Sequence, residues 1–110
     1  MRIAILVSSI IIFVIPFFGN AKNLTRASTR TVEIEGIQFK PLEISVRSGD
    51  DVEWVNNDLV PHTVTSLEDQ FDSKTIAPGS KWVLHTKKVG EFKYKCAYHP
   101  SMSGIVKVTK

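Results

Sequence analysis

From residue 31 onward the chain alternates apolar and polar side chains with a period of two, which is the pattern of β-strands buried on one face. Val32 and Ile34 alternate with glutamates, and Leu42, Ile44 and Val46 form a second inward-facing set. Turn-forming residues separate the alternating runs at Pro41, 48–50, 56–58, 77–79 and 89–90. The pattern predicts an all-β domain, a β-sandwich of seven or eight short strands.

The N-terminal segment has the composition of an export signal. Arg2 precedes an apolar stretch over 3–18, and the small residues Gly19 and Ala21 follow it. We therefore predict a signal peptide over 1–21, cleaved after Ala21, and a periplasmic or otherwise exported protein. The apolar stretch is marginal for a membrane-spanning helix, which needs roughly 20 apolar residues, although an uncleaved signal would leave an N-terminal anchor.

The mature chain is predicted to be one small domain. Residues 22–30 are polar and without hydrophobic periodicity, so we expect a flexible N-terminal segment there and a folded domain over 31–110. The net charge of +3 is spread among interspersed acids and bases, which argues against a nucleic-acid partner. A single cysteine allows no internal disulfide, so a bound metal could supply part of the stability.

The loop near the C-terminus carries Cys96, His99 and Met102 at three-residue intervals. Strand alternation places Cys96 on the same inward face as Tyr94, at the point where the strand ends. A thiolate buried there is costly without a positive partner, and a metal ion supplies one. Pro100 favours a turn that folds the three side chains toward one point.

A second histidine, His62, lies upstream in a β-rich stretch. Taken singly, Cys96 could be a small buried hydrophobe, Met102 a core residue and His62 an ordinary loop histidine. Together, two imidazoles, a thiolate and a weak axial thioether suit a copper ion that cycles between Cu(I) and Cu(II). We therefore predict a copper site of His62, Cys96, His99 and Met102, with no catalytic residues.

The chain resembles the cupredoxins, and among them the amicyanins most, with plastocyanin and pseudoazurin as more distant relatives. The resemblance rests on the loop Cys96-Ala97-Tyr98-His99-Pro100-Ser101-Met102 and on further segments at 39–41, 49–50, 54–58, 60–64, 71–73, 77–79 and 90–92. It implies a Greek-key sandwich with one type 1 (blue) copper per chain.

The resemblance also implies a function and partners. A cupredoxin of this kind would shuttle single electrons between redox partner proteins, with an amine dehydrogenase as donor and a c-type cytochrome as acceptor. We expect a monomeric electron carrier that is not an enzyme and does not insert stably into a membrane. Many cupredoxins carry asparagine directly after the first histidine ligand, where it tethers the two ligand loops; Thr63 occupies that position here and is expected to replace it.

Three other functions use the same residues. A periplasmic copper chaperone or copper-storage protein would need the same ligands but would exchange its metal readily. A cysteine hydrolase using Cys96 with His99 or His62 is disfavoured because the thiol is predicted to point inward. A structural zinc site is disfavoured because a thioether is a poor donor to zinc.

Overall fold

The computed structural model describes residues 3–5, 8–16 and 27–110, and in these residues it contains eight β-strands and no helix. The strands are β1 (Thr29–Ile34), β2 (Phe39–Lys40), β3 (Glu43–Arg47), β4 (Asp51–Asn56), β5 (Thr65–Ser66), β6 (Lys81–His85), β7 (Gly90–Lys95) and β8 (Ser103–Thr109). They form two four-stranded sheets, in the orders β2-β1-β4-β6 and β3-β8-β7-β5. The predicted all-β sandwich is confirmed.

Each sheet contains one parallel pair among antiparallel neighbours. Strand β1 lies parallel to β4, and β3 lies parallel to β8. Alternate residues of these strands are buried between the sheets, as the period-two pattern predicts. The fully buried aliphatic and aromatic side chains of this core are Val32, Ile34, Val52, Trp54, Val64, Tyr94 and Val106.

Leu42 departs from the predicted pattern. Its side chain is 63% exposed, whereas Ile44 and Val46 are buried as predicted. The reason is that β3 begins only at Glu43, so Leu42 stands before the strand and its side chain is outside the alternation. Its carbonyl still accepts a hydrogen bond from the Ile105 N–H at 2.9 Å.

The first strand begins two residues before the predicted start of the folded domain at residue 31. Strand β1 begins at Thr29, and both Thr29 and Arg30 pair with β4. Both side chains are exposed, so no hydrophobic periodicity marks these two residues as part of a strand. Backbone pairing with β4 alone extends the strand to Thr29. Of the rest of the predicted flexible segment, residues 27–28 are exposed and have no regular secondary structure, and 22–26 lie outside the described residues.

The predicted cleavage position after Ala21 also lies outside the described residues. The described part of the apolar N-terminal stretch, 3–5 and 8–16, has no regular secondary structure and is exposed. Among the residues that the structure describes, no helix is long and apolar enough to cross a membrane.

Tyr94 joins the two sheets through the aromatic core. Its ring lies 4.7 Å from that of Phe39 and 5.4 Å from that of Trp54, both in edge-on geometry. The Trp54 indole N–H donates a hydrogen bond to the Tyr94 hydroxyl at 3.2 Å, which satisfies both polar groups inside the core. Burial raises the pKa of Tyr94 to about 12, so its phenol stays neutral under ordinary conditions.

Replacing Gly104 with alanine should destabilise the sandwich. Gly104 is the cross-strand partner of Tyr94, and a Cβ at this position would overlap the phenol end of the Tyr94 ring. We expect the free energy of unfolding of Gly104→Ala to fall by about 1–3 kcal/mol, the usual cost of overpacking. Urea denaturation measures the loss, with the exposed neighbour Ser103→Ala as control. Equal stability of Gly104→Ala and wild type would contradict this packing.

Candidate metal centre

The loop over residues 96–102 is the direct connection between β7 and β8. Lys95 and Ser103, which flank the loop, pair with each other across the two strands. Within the loop, the Cys96 N–H donates to the Met102 carbonyl at 3.2 Å, and the Met102 N–H donates to the His99 carbonyl at 2.8 Å. These hydrogen bonds hold the loop in a closed turn, so its side chains occupy defined positions.

Three of the four predicted ligands come together at this end of the sandwich. The Cys96 Sγ lies 3.6 Å from His62 Nδ1 and 3.8 Å from His99 Nδ1, and all three atoms lie within 4.8 Å of one another. An ion about 2.0–2.3 Å from each atom, as in metal bonds to nitrogen and sulfur, fits between them. Cys96 and His62 are completely buried, whereas His99 is half-buried.

Met102 lies at the end of the same loop and is buried in the core cluster that also contains Cys96 and Tyr94. Ligation by its sulfur stays a prediction. The third histidine, His85, lies in β6 away from this group, exposed and paired with Asp51 at 2.6 Å. The site therefore draws on His62 and on the β7–β8 loop.

His62 is held in place by backbone pairing. Its N–H donates to the Ile76 carbonyl at 3.2 Å, and its own carbonyl accepts from the Ile76 N–H at 2.7 Å. The buried amide of Asn56 donates to the carbonyls of Val60 and Ile76, both at 2.9 Å. Asn56 thus fixes the loop that leads into His62 from the end of β4.

The carboxylate of Asp58 contacts the other nitrogen of His62, with 2.7 Å between Asp58 Oδ2 and His62 Nε2. The same carboxylate accepts the N–H groups of Gly36 at 2.7 Å and Ile37 at 3.0 Å. Desolvation raises the pKa of Asp58, but hydrogen bonds from Ile37, His62 and Gly36 outweigh it, so this pKa lies below its ordinary value of 3.8. The carboxylate is therefore ionised at neutral pH.

Sequence reasoning missed this contact, because Asn56 and Asp58 lie in a turn segment where no periodic pattern predicts which groups the side chains meet. The available signal was an acidic residue four positions before a candidate ligand within one loop. Such a spacing is common in loops, so it does not by itself distinguish a partner of a ligand from an ordinary turn aspartate.

Thr63 tethers the two segments that supply the donors, as expected. Its Oγ1 accepts the Ala97 N–H at 2.7 Å, and its own N–H points at the Cys96 Sγ at 3.4 Å. Thr63 therefore contacts the Cys96–Ala97 segment twice and holds the two donor segments at a fixed spacing.

The Thr63 tether can be tested without any metal. Thr63→Val keeps the shape of the side chain but removes the acceptor for the Ala97 N–H, so we expect the metal-free protein to lose about 1 kcal/mol of unfolding free energy. Thr63→Ser keeps the hydroxyl and should lose less. Denaturant titration of both variants provides the measurement. A valine variant as stable as wild type would show that the hydroxyl contact does not hold the loops.

The fold and the site together define a β-sandwich that gathers a buried cysteine sulfur and two imidazoles at one end. Residues 8–108 match the family model of the cupredoxin-like domain. The chain belongs to this family, so the resemblance noted from the sequence is confirmed.

Two curated relatives place the chain within the family. It is 29% identical over 85 residues to amicyanin from Paracoccus versutus, an alignment that covers 73% of this chain and 64% of that protein. It is 33% identical over 87 residues to plastocyanin from Ginkgo biloba, covering 66% of this chain and 88% of that protein. The chain thus spans less than two thirds of the length of the Paracoccus versutus amicyanin.

Solved structures show the same architecture. A Cu(I) form of a methionine-to-alanine variant of amicyanin superposes with a TM-score of 0.70 at 26% identity, covering 74% of this chain and 82% of that one. A copper-containing nitrite reductase from Thermus scotoductus superposes with a TM-score of 0.69 at 28% identity, covering 73% of this chain but 22% of that one. The shared part of the reductase is therefore a small portion of a larger protein.

Proposed function

We propose that this protein binds one type 1 copper ion and carries single electrons between redox proteins outside the cytoplasm. The observation that carries the proposal is the grouping of the Cys96, His62 and His99 donor atoms within 4.8 Å of one another. A thiolate with two imidazoles suits copper, and a buried methionine in the same loop favours copper over zinc. The amicyanin and plastocyanin relatives support the same conclusion.

In this proposal His62, Cys96 and His99 hold the ion and Met102 adds a weak axial thioether contact. Copper supplies the one-electron chemistry when bound. The chain supplies a rigid frame, because each donor is held by strand pairing or by loop hydrogen bonds. Since the donors then move little between oxidation states, electron transfer needs little structural rearrangement.

Electrons are proposed to pass through the half-buried ring of His99 and not through the completely buried His62. Exposed apolar and aromatic residues flank the two histidines in the sequence. These are Leu59, Val60, Pro61, Tyr98 and Pro100, which we call the apolar patch. A partner docking here would bury a modest area, typically below about 1,200 Å² in redox encounters.

The partners and the location follow from the resemblance. We propose an amine dehydrogenase as donor and a c-type cytochrome as acceptor, with the protein acting as a monomer. An export signal over 1–21, cleaved after Ala21, would deliver it to the periplasm or another exported location without stable membrane insertion. The proposed role is that of a carrier and not of an enzyme.

Two other functions fit the geometry less well. A copper chaperone or storage protein must hand over its metal, whereas Cys96 and His62 are completely buried here. A cysteine hydrolase needs a thiol that meets its substrate, and the same burial of Cys96 prevents this contact.

Copper loading tests the proposed function directly. Addition of Cu(II) to the purified protein should produce the intense visible absorption of a copper–thiolate bond, together with the matching EPR signal. Cys96→Ser should lose that absorption, because a hydroxyl cannot replace the thiolate. Ser101→Ala, an exposed change in the same loop, is the control and should keep it. A colourless wild-type complex, or an unchanged spectrum in Cys96→Ser, would refute the proposal.

The apolar patch can be tested without knowing the natural partner. Electron self-exchange between Cu(I) and Cu(II) copies requires two molecules to meet through the surface that conducts electrons. Leu59, which is 96% exposed, can be changed to lysine so that the two patches repel each other. We expect the self-exchange rate to fall about tenfold while the visible spectrum stays the same.

The matched control is Leu67→Lys, which adds the same charge at an exposed leucine outside the patch, beside β5. NMR line broadening in mixtures of the two oxidation states measures both rates. Similar rates for Leu59→Lys and Leu67→Lys would place the electron route elsewhere.

A further inference from the structure

Asp58 is a negatively charged group set directly behind a buried ligand candidate. Its side chain is 12% exposed, and it meets the completely buried ring of His62 on the side opposite the other donors. Among the residues that the structure describes, the His62 ring is its one ion-pair contact, with no lysine or arginine within salt-bridge distance. The carboxylate therefore interacts mainly with the imidazole of His62 and with two backbone N–H groups.

This contact determines which nitrogen of His62 carries the proton. An ionised carboxylate can only accept hydrogen bonds, so the Nε2 atom at 2.7 Å must carry the hydrogen. In the neutral imidazole the Nδ1 atom, 3.6 Å from Cys96 Sγ, then presents a free lone pair to the space between the donors. A carboxylate partner also makes the imidazole a stronger donor.

We propose that Asp58 is a positioning residue of the metal centre, which fixes the Nε2–H tautomer of His62 and lowers the reduction potential of bound copper. The redox part rests on the proposed function. Reduction adds one electron to Cu(II) and gives Cu(I), so it removes one positive charge from the site. A nearby negative charge in a buried setting stabilises the more positive Cu(II) form and makes this reduction less favourable.

Asp58 also has a structural role, and an experiment must separate the two. Its oxygens hold the turn between β1 and β2, where Gly36 and Ile37 both have positive φ angles of 62° and 54°. Loss of Asp58 therefore destabilises the fold whether or not the charge acts on the metal centre.

Asp50 offers a matched control for this structural role. Its carboxylate also accepts two backbone N–H groups, from Ser28 and Arg47, both at 2.9 Å. It lies just before β4, whereas Asp58 lies just after β4, so the two carboxylates sit at opposite ends of that strand. None of the hydrogen bonds of Asp50 involves His62, Cys96 or His99.

The experiment compares the wild-type full chain with Asp58→Asn and Asp50→Asn. Voltammetry of the copper-loaded proteins should show a midpoint potential for Asp58→Asn that is higher by about 59 mV or more. For a one-electron couple, a rise of 59 mV corresponds to a tenfold change in the ratio of the protein's affinities for Cu(II) and Cu(I). Asp50→Asn should lose stability in urea but keep the wild-type potential. An unchanged potential in Asp58→Asn, or an equal rise in Asp50→Asn, overturns the redox part.

The tautomer is measured separately by ¹⁵N NMR of the copper-free wild-type protein, which needs neither a variant nor a metal. At a pH where the His62 ring is neutral, the proposal requires its single proton to lie on Nε2, and a single proton on Nδ1 overturns the positioning part. If the wild-type protein forms no redox-active copper complex, the proposed function fails and the redox part fails with it. The NMR result still decides whether Asp58 positions His62.

Discussion

The contact between the Cys96 sulfur and the segment that carries His62 is the interaction on which the functional end of this molecule depends. Cys96 comes directly after β7 of one sheet, while His62 lies in the segment that follows β4 of the other. A thiolate held in so buried a position is unstable without compensating positive charge. The Thr63 N–H supplies part of that compensation, and the converging donors provide a place for a cation to supply the rest.

The two histidines have different environments, and each environment suits a different task. His62 is enclosed, its backbone is paired with Ile76, and its outer nitrogen is engaged by Asp58. His99 lies in the loop between β7 and β8, half-buried among exposed side chains. One ring is thereby immobilised as an anchor, and the other is left close to the surface, where a second protein can approach it.

Much of the core and most of the site could be predicted from the sequence, because both depend on local patterns. Alternation identified the buried faces of β1 and β4, and the short spacing of Cys96 and His99 placed two donors in one turn. The earlier start of β1 at Thr29 left no such pattern, since exposed residues there are joined to β4 by backbone hydrogen bonds alone. The Asp58 contact was also invisible, because it depends on how a loop folds back and not on a periodic arrangement.

The residues that flank the β7–β8 loop, Lys95 and Ser103, face each other across a continuous ladder of hydrogen bonds. The ladder ends where the loop begins, so the exposed side chains of the loop, at 97, 98, 100 and 101, can be exchanged while the strand pairing beneath them stays intact. Substitutions at these few adjacent positions would therefore adjust the surroundings of the candidate metal centre without requiring a different scaffold.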